Sequence, residues 1–349
     1  MSASEPQPTP KKRPSSTDVA RLAGVSQATV SYVLSNRSDK VISEDTRERV
    51  LSAVNTLSYM PNRLANGILR GKTSTIGVIM SDFGHSFYSK LLMGLEEEFS
   101  AEDYHILIAH TRSDANFGAK QVRMLLEHRV DGMVVVADES TILGLPQWAE
   151  EAQRVGVQLC VIDDRIMEGT FDTIVSDDIA GSRLAVQHLI DLGHHNIAFL
   201  GGGGAATTAQ DRFQGYAETL TDNGIPVREN YRIPMLFHEE HSRAELLLTL
   251  KPRPTAVLAI SDAHAARTIN DLRERKLKIP EEMAFIGYGN PEWADFLNLT
   301  SVFQNPLLMG RTTAGRLVKR IKGDTSAPMT LKLMPELVVR ASTSGYDKQ

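Results

Sequence analysis

The sequence predicts a small helical segment followed by a two-lobed α/β domain with parallel sheets. Three observations carry this. At 349 residues the chain exceeds what one typical core encloses, so two or three domains are expected. From Ser74 onward, short β-rich runs alternate with amphipathic segments of helical length, the pattern of parallel sheets wound with helices on both faces. Charge divides at the same point. Through Thr73 there are eleven Lys/Arg against six Asp/Glu, while the remainder is acidic and the whole chain carries −5. A small basic segment on a large acidic body fits a polyanion-binding module attached to something that avoids polyanions.

The elements follow in order. Residues 1–15 are polar and Pro-rich and are expected to form a disordered tail, with Lys11-Lys12-Arg13 as a loose phosphate contact. Ser16 or Thr17 caps a first helix running to about Ala23, and Gly24 supplies the positive φ of a tight turn. Ser26 caps a second helix through about Leu34. Ser43 caps a third, with Glu44 and Asp45 in its first turn and a buried stripe at Val50, Val54 and Leu57.

Strands are then expected at Thr75–Met80, His105–Ala109, Met133–Ala137, Gln158–Asp163, Ile197–Gly201, Ala256–Ser261 and Ala284–Gly287. Amphipathic segments of helical length separate them, including Tyr88–Ala101, Phe117–His128, Ile179–Leu192, Phe213–Asn223, Ser242–Leu250 and Ala263–Arg275. So many elements overfill one sheet, which makes two consecutive lobes the natural division. Ligands in such folds bind beyond the carboxyl ends of the strands, so the cleft between the lobes is the default site.

Several function classes are disfavoured. No apolar run approaches the ~20 residues that span a bilayer, and the N-terminus lacks the apolar stretch of a secretory signal. A cytoplasmic location is therefore expected. The single cysteine, Cys160, lies in the apolar run Val157–Ile162 and reads as a buried structural thiol. Gly201–Gly204 lacks the Gly-x-Gly-x-x-Gly spacing and the following Gly-Lys-Ser/Thr of phosphate loops. His194-His195 has no partner at metal-ligand spacing, and no Gly-x-Ser-x-Gly elbow is present. No catalytic residue, metal or cofactor is expected. A solute-binding protein would need export and no basic headpiece. An architectural DNA binder that senses no metabolite remains a competing reading.

The most specific segment is Thr17–Leu34. Val19, Ala20, Ala23, Val25, Val30 and Val33 form the inward set of two helices crossing at a Gly turn, leaving Gln27, Ala28, Thr29, Ser31 and Tyr32 projecting. That is the docking geometry of a helix-turn-helix, whose second helix enters the major groove. Short polar residues at its start can read base edges, and Ser26 with the helix N-terminus can hold a phosphate. An ordinary helix hairpin shares the bare pattern.

This segment resembles the headpiece of the lac repressor (LacI) family of bacterial regulators, through Asp18-Val-Ala and Gly24-Val-Ser-Gln-Ala-Thr-Val-Ser31. The resemblance continues in Ser43–Val50, Tyr59-Met-Pro-Asn62, Arg129-Val-Asp-Gly132, His188–His194, Arg253–Val257 and Pro335–Arg340, and extends from Thr17 to Ser344. It implies a helix-turn-helix DNA-binding domain at 16–60 and a hinge helix at 61–73, for which a plain interdomain linker is the competing reading. It also implies a periplasmic-binding-protein-like, two-lobed effector domain at 74–345. The N-lobe would comprise about 74–174 and 304–330, and the C-lobe about 175–303 and 331–345. The implied partners are a second copy of the chain, a palindromic double-stranded operator and a small-molecule effector.

By the same resemblance, Gln27, Ala28 and Tyr32 discriminate bases. Tyr32 stands where many members carry Arg, and tyrosine cannot make the bidentate guanine contact. Thr17, Ser26, Thr29 and Asn36 position the DNA backbone, and Asn62 joins the DNA-contacting set. Ile68 aligns with a Leu that wedges into the minor groove, with Leu69 as the alternative wedge. Gly67 weakens the hinge helix by ~1 kcal/mol relative to Ala. For the effector, the resemblance marks Phe87, Tyr88, Asp163, Thr208, Arg212, His238, Asp262 and Asn290. Arg212 aligns with the family's effector-binding arginine. Asp177-Asp178 stands where the family has Asp-Asn. Two departures matter most: Gly289 removes a carboxylate that accepts from sugar hydroxyls, and Arg267 replaces a usual Gly. An ordinary sugar is therefore less assured, and a more anionic ligand, or none, stays open.

Overall fold

The computed structural model describes residues 14–34, 42–60, 72–81, 86–138, 141–165, 168–201, 206–234 and 242–344. The chain divides into two compact units between Thr73 and Ser74.

The first unit holds α1 (Ser16–Ala23), α2 (Gln27–Leu34) and α3 (Glu44–Leu57). Ser15, not Ser16 or Thr17, caps α1. Its hydroxyl accepts from the Asp18 N–H while the Asp18 carboxylate accepts from the Ser15 N–H at 2.9 Å. Of three adjacent hydroxyl residues, only Ser15 has an acid three places on to complete this reciprocal cap. Gly24 takes φ 66°, and its N–H closes the end of α1. Val19, Ala20, Ala23, Val30, Val33, Val50 and Ala53 are buried together. Val54 and Leu57 are only partly buried, so the inner stripe of α3 runs through Val50 and Ala53.

In the second unit, the first lobe has strands β1 (Thr75–Met80), β2 (His105–His110), β3 (Gly132–Val136), β4 (Gln158–Ile162), β5 (Asp172–Ser176) and β11 (Thr330–Leu333). They form one sheet, ordered β11-β5-β4-β3-β1-β2, with every pairing parallel. The second lobe has β6 (Ile197–Leu200), β7 (Arg232–Ile233), β8 (Ala256–Ala259), β9 (Ala284–Tyr288), β10 (Thr300–Phe303) and β12 (Glu336–Val338). Their order is β12-β10-β9-β8-β6-β7, and β12 alone runs antiparallel, against β10.

Both faces of each sheet are covered. In β1, Ile76, Val78 and Met80 face one core with Leu91, Leu95 and Phe99, while Ile79 faces another with Val122, Leu125 and Trp148. The first of these cores lies under α4 (Ser86–Ala101) and α12 (Pro306–Ile321). The second lies under α5 (Ala115–Glu127) and α6 (Leu145–Arg154). Two glycines let α4 and α12 approach backbone to backbone. A Cβ on Gly94 would stand 2.1 Å from the Leu307 carbonyl oxygen, and one on Gly310 would stand 2.2 Å from that of Leu91.

The second lobe carries α7 (Asp178–Asp191), α8 (Thr207–Asp222), α9 (Ala244–Thr249), α10 (Asp262–Glu274) and α11 (Trp293–Phe296). The chain passes between lobes three times, after Ser176, after Phe303 and after Leu333. These crossings fall slightly later than residues 174 and 330, because β5 and β11 complete the first sheet. The Asp177 N–H donates to the Leu333 carbonyl at 2.9 Å, tying the first crossing to the third. Among the described residues no helix is long and apolar enough to cross a membrane.

Candidate functional site

Two sets of residues carry candidate chemistry, one on α2 and one at the strand ends where the lobes meet. On α2, Val30 and Val33 are buried, which turns Gln27, Ala28 and Ser31 outward and leaves Thr29 and Tyr32 half-buried. The Ser26 hydroxyl accepts from the Thr29 N–H at 3.1 Å and lies 2.9 Å from the Thr29 hydroxyl. Gln27 Nε2 donates to the Ser16 hydroxyl at 2.6 Å, so its amide is held towards α1, whose exposed Thr17 is near by in sequence. Hydroxyls clustered at helix N-termini suit contact with phosphate oxygens. Arg49 Nη1 donates to the Ala23 carbonyl at 3.2 Å, fixing α3 against the turn. Asn36, Asn62, Ile68 and Leu69 lie outside the described residues.

The second set centres on Arg212, which α8 buries to 4% exposure. Its Nη1 donates to the Ile260 carbonyl at 2.7 Å, at the end of β8. Its Nε and Nη2 face the two carboxylate oxygens of Asp178 at 3.3 and 3.4 Å. Its Cζ lies over the Tyr288 ring, 3.7 Å from the ring centre. A buried guanidinium needs a paired charge, and Asp178, the first residue of α7 at the first interlobe crossing, supplies it. Gln304, in the second crossing, points its Nε2 at Asp178 Oδ1 from 3.5 Å. Burial pushes the Asp178 carboxyl above the usual range, against the lowering effect of Arg212.

Asp163 enters from the first lobe, just past β4. It has φ 70°, a conformation that costs most residues energy but that Asp tolerates. Its Oδ1 is buried without a hydrogen-bond partner. Burial, followed by the charge of Asp178, raises its pKa well above the ordinary carboxylate value.

Asp262 opens α10 at the end of β8. Its Oδ2 accepts from the Asn290 N–H at 2.7 Å, and its Oδ1 has no partner. Burial pushes its pKa up to about 6. Glycine at 287 makes this possible, because a Cβ there would stand 2.2 Å from Asp262 Oδ1. The Asn290 side-chain oxygen is taken by Arg340 Nη2 at 2.8 Å.

A second group spans the lobes beside Arg212. The Thr207 N–H, at the start of α8, donates to Asp164 Oδ2 at 2.9 Å. The Thr207 hydroxyl accepts from the Arg165 N–H at 3.2 Å. Arg165 Nη2 meets both oxygens of Asp211 at 2.6 and 2.8 Å. A first-lobe carboxylate thus caps a second-lobe helix that has no side-chain cap of its own.

The other expected effector residues divide. Thr208 is buried in the first turn of α8. Phe87 is part of the first lobe's core, with Tyr88 half-buried at 5.4 Å between ring centres. Its aromatic face is therefore used for packing. Arg267 is exposed on α10, whereas Gly289 follows β9 with φ 120°. His238 lies outside the described residues. Tyr288, Gln304 and the Arg165–Asp211 pair were not singled out from sequence. A buried arginine demands a carboxylate, and the pairing of Arg212 with Asp178 was not read from the sequence.

Three headpiece helices among the described residues, ahead of a two-lobed parallel α/β domain, define the class of bacterial DNA-binding transcriptional regulators with a ligand-binding domain. The chain belongs to the family of bacterial regulatory proteins called the lacI family: residues 17–62 match that family's model, and residues 186–343 match the periplasmic binding protein-like domain. It is 30% identical over 337 residues to the HTH-type transcriptional repressor PurR of Actinobacillus pleuropneumoniae serotype 3 (strain JL03), covering 95% of this chain and 98% of that protein. It is 32% identical over 336 residues to the HTH-type transcriptional regulator DegA of Bacillus subtilis (strain 168), covering 94% and 97%. The structure of the lac repressor dimer bound to operator and the anti-inducer ONPF matches with a TM-score of 0.80 at 27% identity, over 95% of this chain and 99% of that one. A complex of the transcriptional regulator CelR with cellobiose matches with a TM-score of 0.69 at 30% identity, over 95% and 100%.

Proposed function

We propose that this protein is a cytoplasmic repressor that binds a palindromic operator as a homodimer and changes its DNA affinity when a small molecule occupies the interlobe cleft. One observation carries the sensing half of this reading. Arg212 of the second lobe, Asp178 at the first crossing and Asp163 of the first lobe come together where the chain passes between lobes. A ligand contacting these groups acts on the lobe angle directly. Thr17, Ser26 and Thr29 serve as backbone-positioning groups on DNA, and Gln27, Ala28 and Tyr32 read bases. Asn36, Asn62 and the hinge pair Ile68 and Leu69 complete the contacts.

A two-fold protein imposes a two-fold site. The exposed Phe296 and Trp293 of α11 give the second lobe an apolar face suited to a second copy. Because the link between sites is a coupling free energy, operator DNA must change effector affinity by the same factor by which effector changes operator affinity.

The test is a thermal-shift screen of the purified protein against a metabolite panel, repeated with selected operator DNA. A compound that raises the melting temperature and alters operator affinity supports an allosteric sensor. Tight operator binding that no compound alters supports the architectural reading instead.

A further inference from the structure

The charge of the cleft restricts what it can take. Arg212 is already neutralised: Asp178 faces its Nε and Nη2, and Tyr288 covers its plane. Arg165 is paired with Asp211, and Arg340 with Asp295 and Asn290. With these pairs made, the carboxylates of Asp163 and Asp262 remain among the described residues, Asp262 buried and Asp163 half-buried, each with a buried oxygen lacking a hydrogen-bond partner. Asp262 receives N–H donation from Asn290 on its other oxygen. Asp163 is the less satisfied of the two and lies within electrostatic range of Asp178, Asp164 and Arg212.

An anionic effector would have to displace Asp178 from Arg212 and then face Asp163. A neutral polyol could donate to Asp163 but would bring no charge to offset its carboxylate beside those of Asp178 and Asp164. An ammonium group brings both, as three donors on a compact positive charge.

We propose that the effector is a small organic amine whose ammonium group sits on the Asp163 carboxylate, with Arg212 and Asp178 acting as a neutral, preformed pair beside it. This rests on the reading of the cleft as the effector site. The Arg212–Asp178 pair then positions polar atoms on the rest of the ligand and excludes anions. An uncharged amide at position 178 would instead leave the Arg212 charge available to a carboxylate or phosphate.

The experiment uses the full-length protein and matched triads differing in charge on a similar frame. Glucosamine, glucose and gluconate form one; putrescine, butane-1,4-diol and succinate form another. Both sit within the broader metabolite panel, and the readouts are thermal shift and operator affinity. The amines are expected to act at least tenfold more strongly than their neutral and acidic counterparts. Asp163→Asn should weaken that response at least tenfold, each protein's response being read relative to its own effector-free operator affinity and its folding checked by circular dichroism. Asp178→Asn should shift preference towards the acids.

A wild-type response confined to neutral or anionic compounds overturns the amine class and leaves the sensor reading standing. An amine response that survives Asp163→Asn overturns the assigned seat. No response to any compound overturns both readings. Should Asp163→Asn fail to fold, the selectivity of the wild-type protein among the three charge classes still decides.

Discussion

Burying Asp172 at the start of β5 costs free energy that two arginines recover. Arg320 Nε and Arg316 Nε donate to its Oδ2 at 2.6 and 2.8 Å, and the Met329 N–H donates to Oδ1 at 3.0 Å. Burial pushes its pKa up, but these hydrogen bonds prevail and hold it below the usual value. Removing one partner of a buried pair leaves the others uncompensated, so Asp172→Asn should destabilise the protein by about 3–5 kcal/mol in urea denaturation. A loss below about 1 kcal/mol would contradict this account.

His194 is the opposite case. Burial, reinforced by His188 and His195, lowers its pKa from 6.5 to about 4, with Nδ1 lying 3.0 Å from the Thr255 hydroxyl. The unfolded chain binds a proton there that the folded protein refuses, so this contribution is complete above pH 6.5 and is lost as pH falls towards 4. Melting temperature measured over that interval should fall with acidification, and His194→Gln should flatten the slope. At this scale the resemblance drew attention to Arg212 but the sequence did not give its pairing, since adjacency in the chain does not report which carboxylate a buried guanidinium meets. Phe87 lies in the first lobe's core, one of the two readings the sequence leaves for an aromatic residue at that position.

Among elements, strands that are continuous apolar runs were legible. β1 reads Thr-Ile-Gly-Val-Ile-Met and is buried from Ile76 onward, so pattern and burial coincide. β5 begins with an aspartate whose neutralising arginines lie more than 140 residues away, and β12 has only three residues. Neither announces itself locally, because both are held by neighbouring strands. α12 was missed for a related reason. Its buried residues, Met309, Thr313, Leu317 and Val318, are interspersed with Arg311, Arg316, Lys319 and Arg320, and its partner surface on α4 is distant in sequence. The α4–α12 contact depends on absent side chains. Gly94→Ala should force the helices apart and cost about 1–3 kcal/mol, measurable as a reduced urea midpoint with an unchanged denaturant slope.

For the whole molecule, the division between Thr73 and Ser74 was legible from charge and periodicity together. The contacts spanning the lobes were not legible in the sequence. Arg165–Asp211 and the Asp164 cap on α8 join residues more than 40 positions apart. They stabilise the present lobe arrangement from the protein's own side. Arg165→Ala should therefore loosen the lobes and weaken effector affinity several-fold, with isothermal titration as the check; unchanged affinity would show that the clasp does not bear on the cleft.

The central claim is that the groups around Arg212 convert ligand occupancy into a change in DNA binding. Operator affinity measured across an effector titration, for the wild-type protein and Arg212→Ala, tests it most directly. The account predicts that the variant binds operator as tightly as wild type and no longer responds to effector. A variant that keeps the full effector response, or one that loses operator binding without any ligand present, would contradict it.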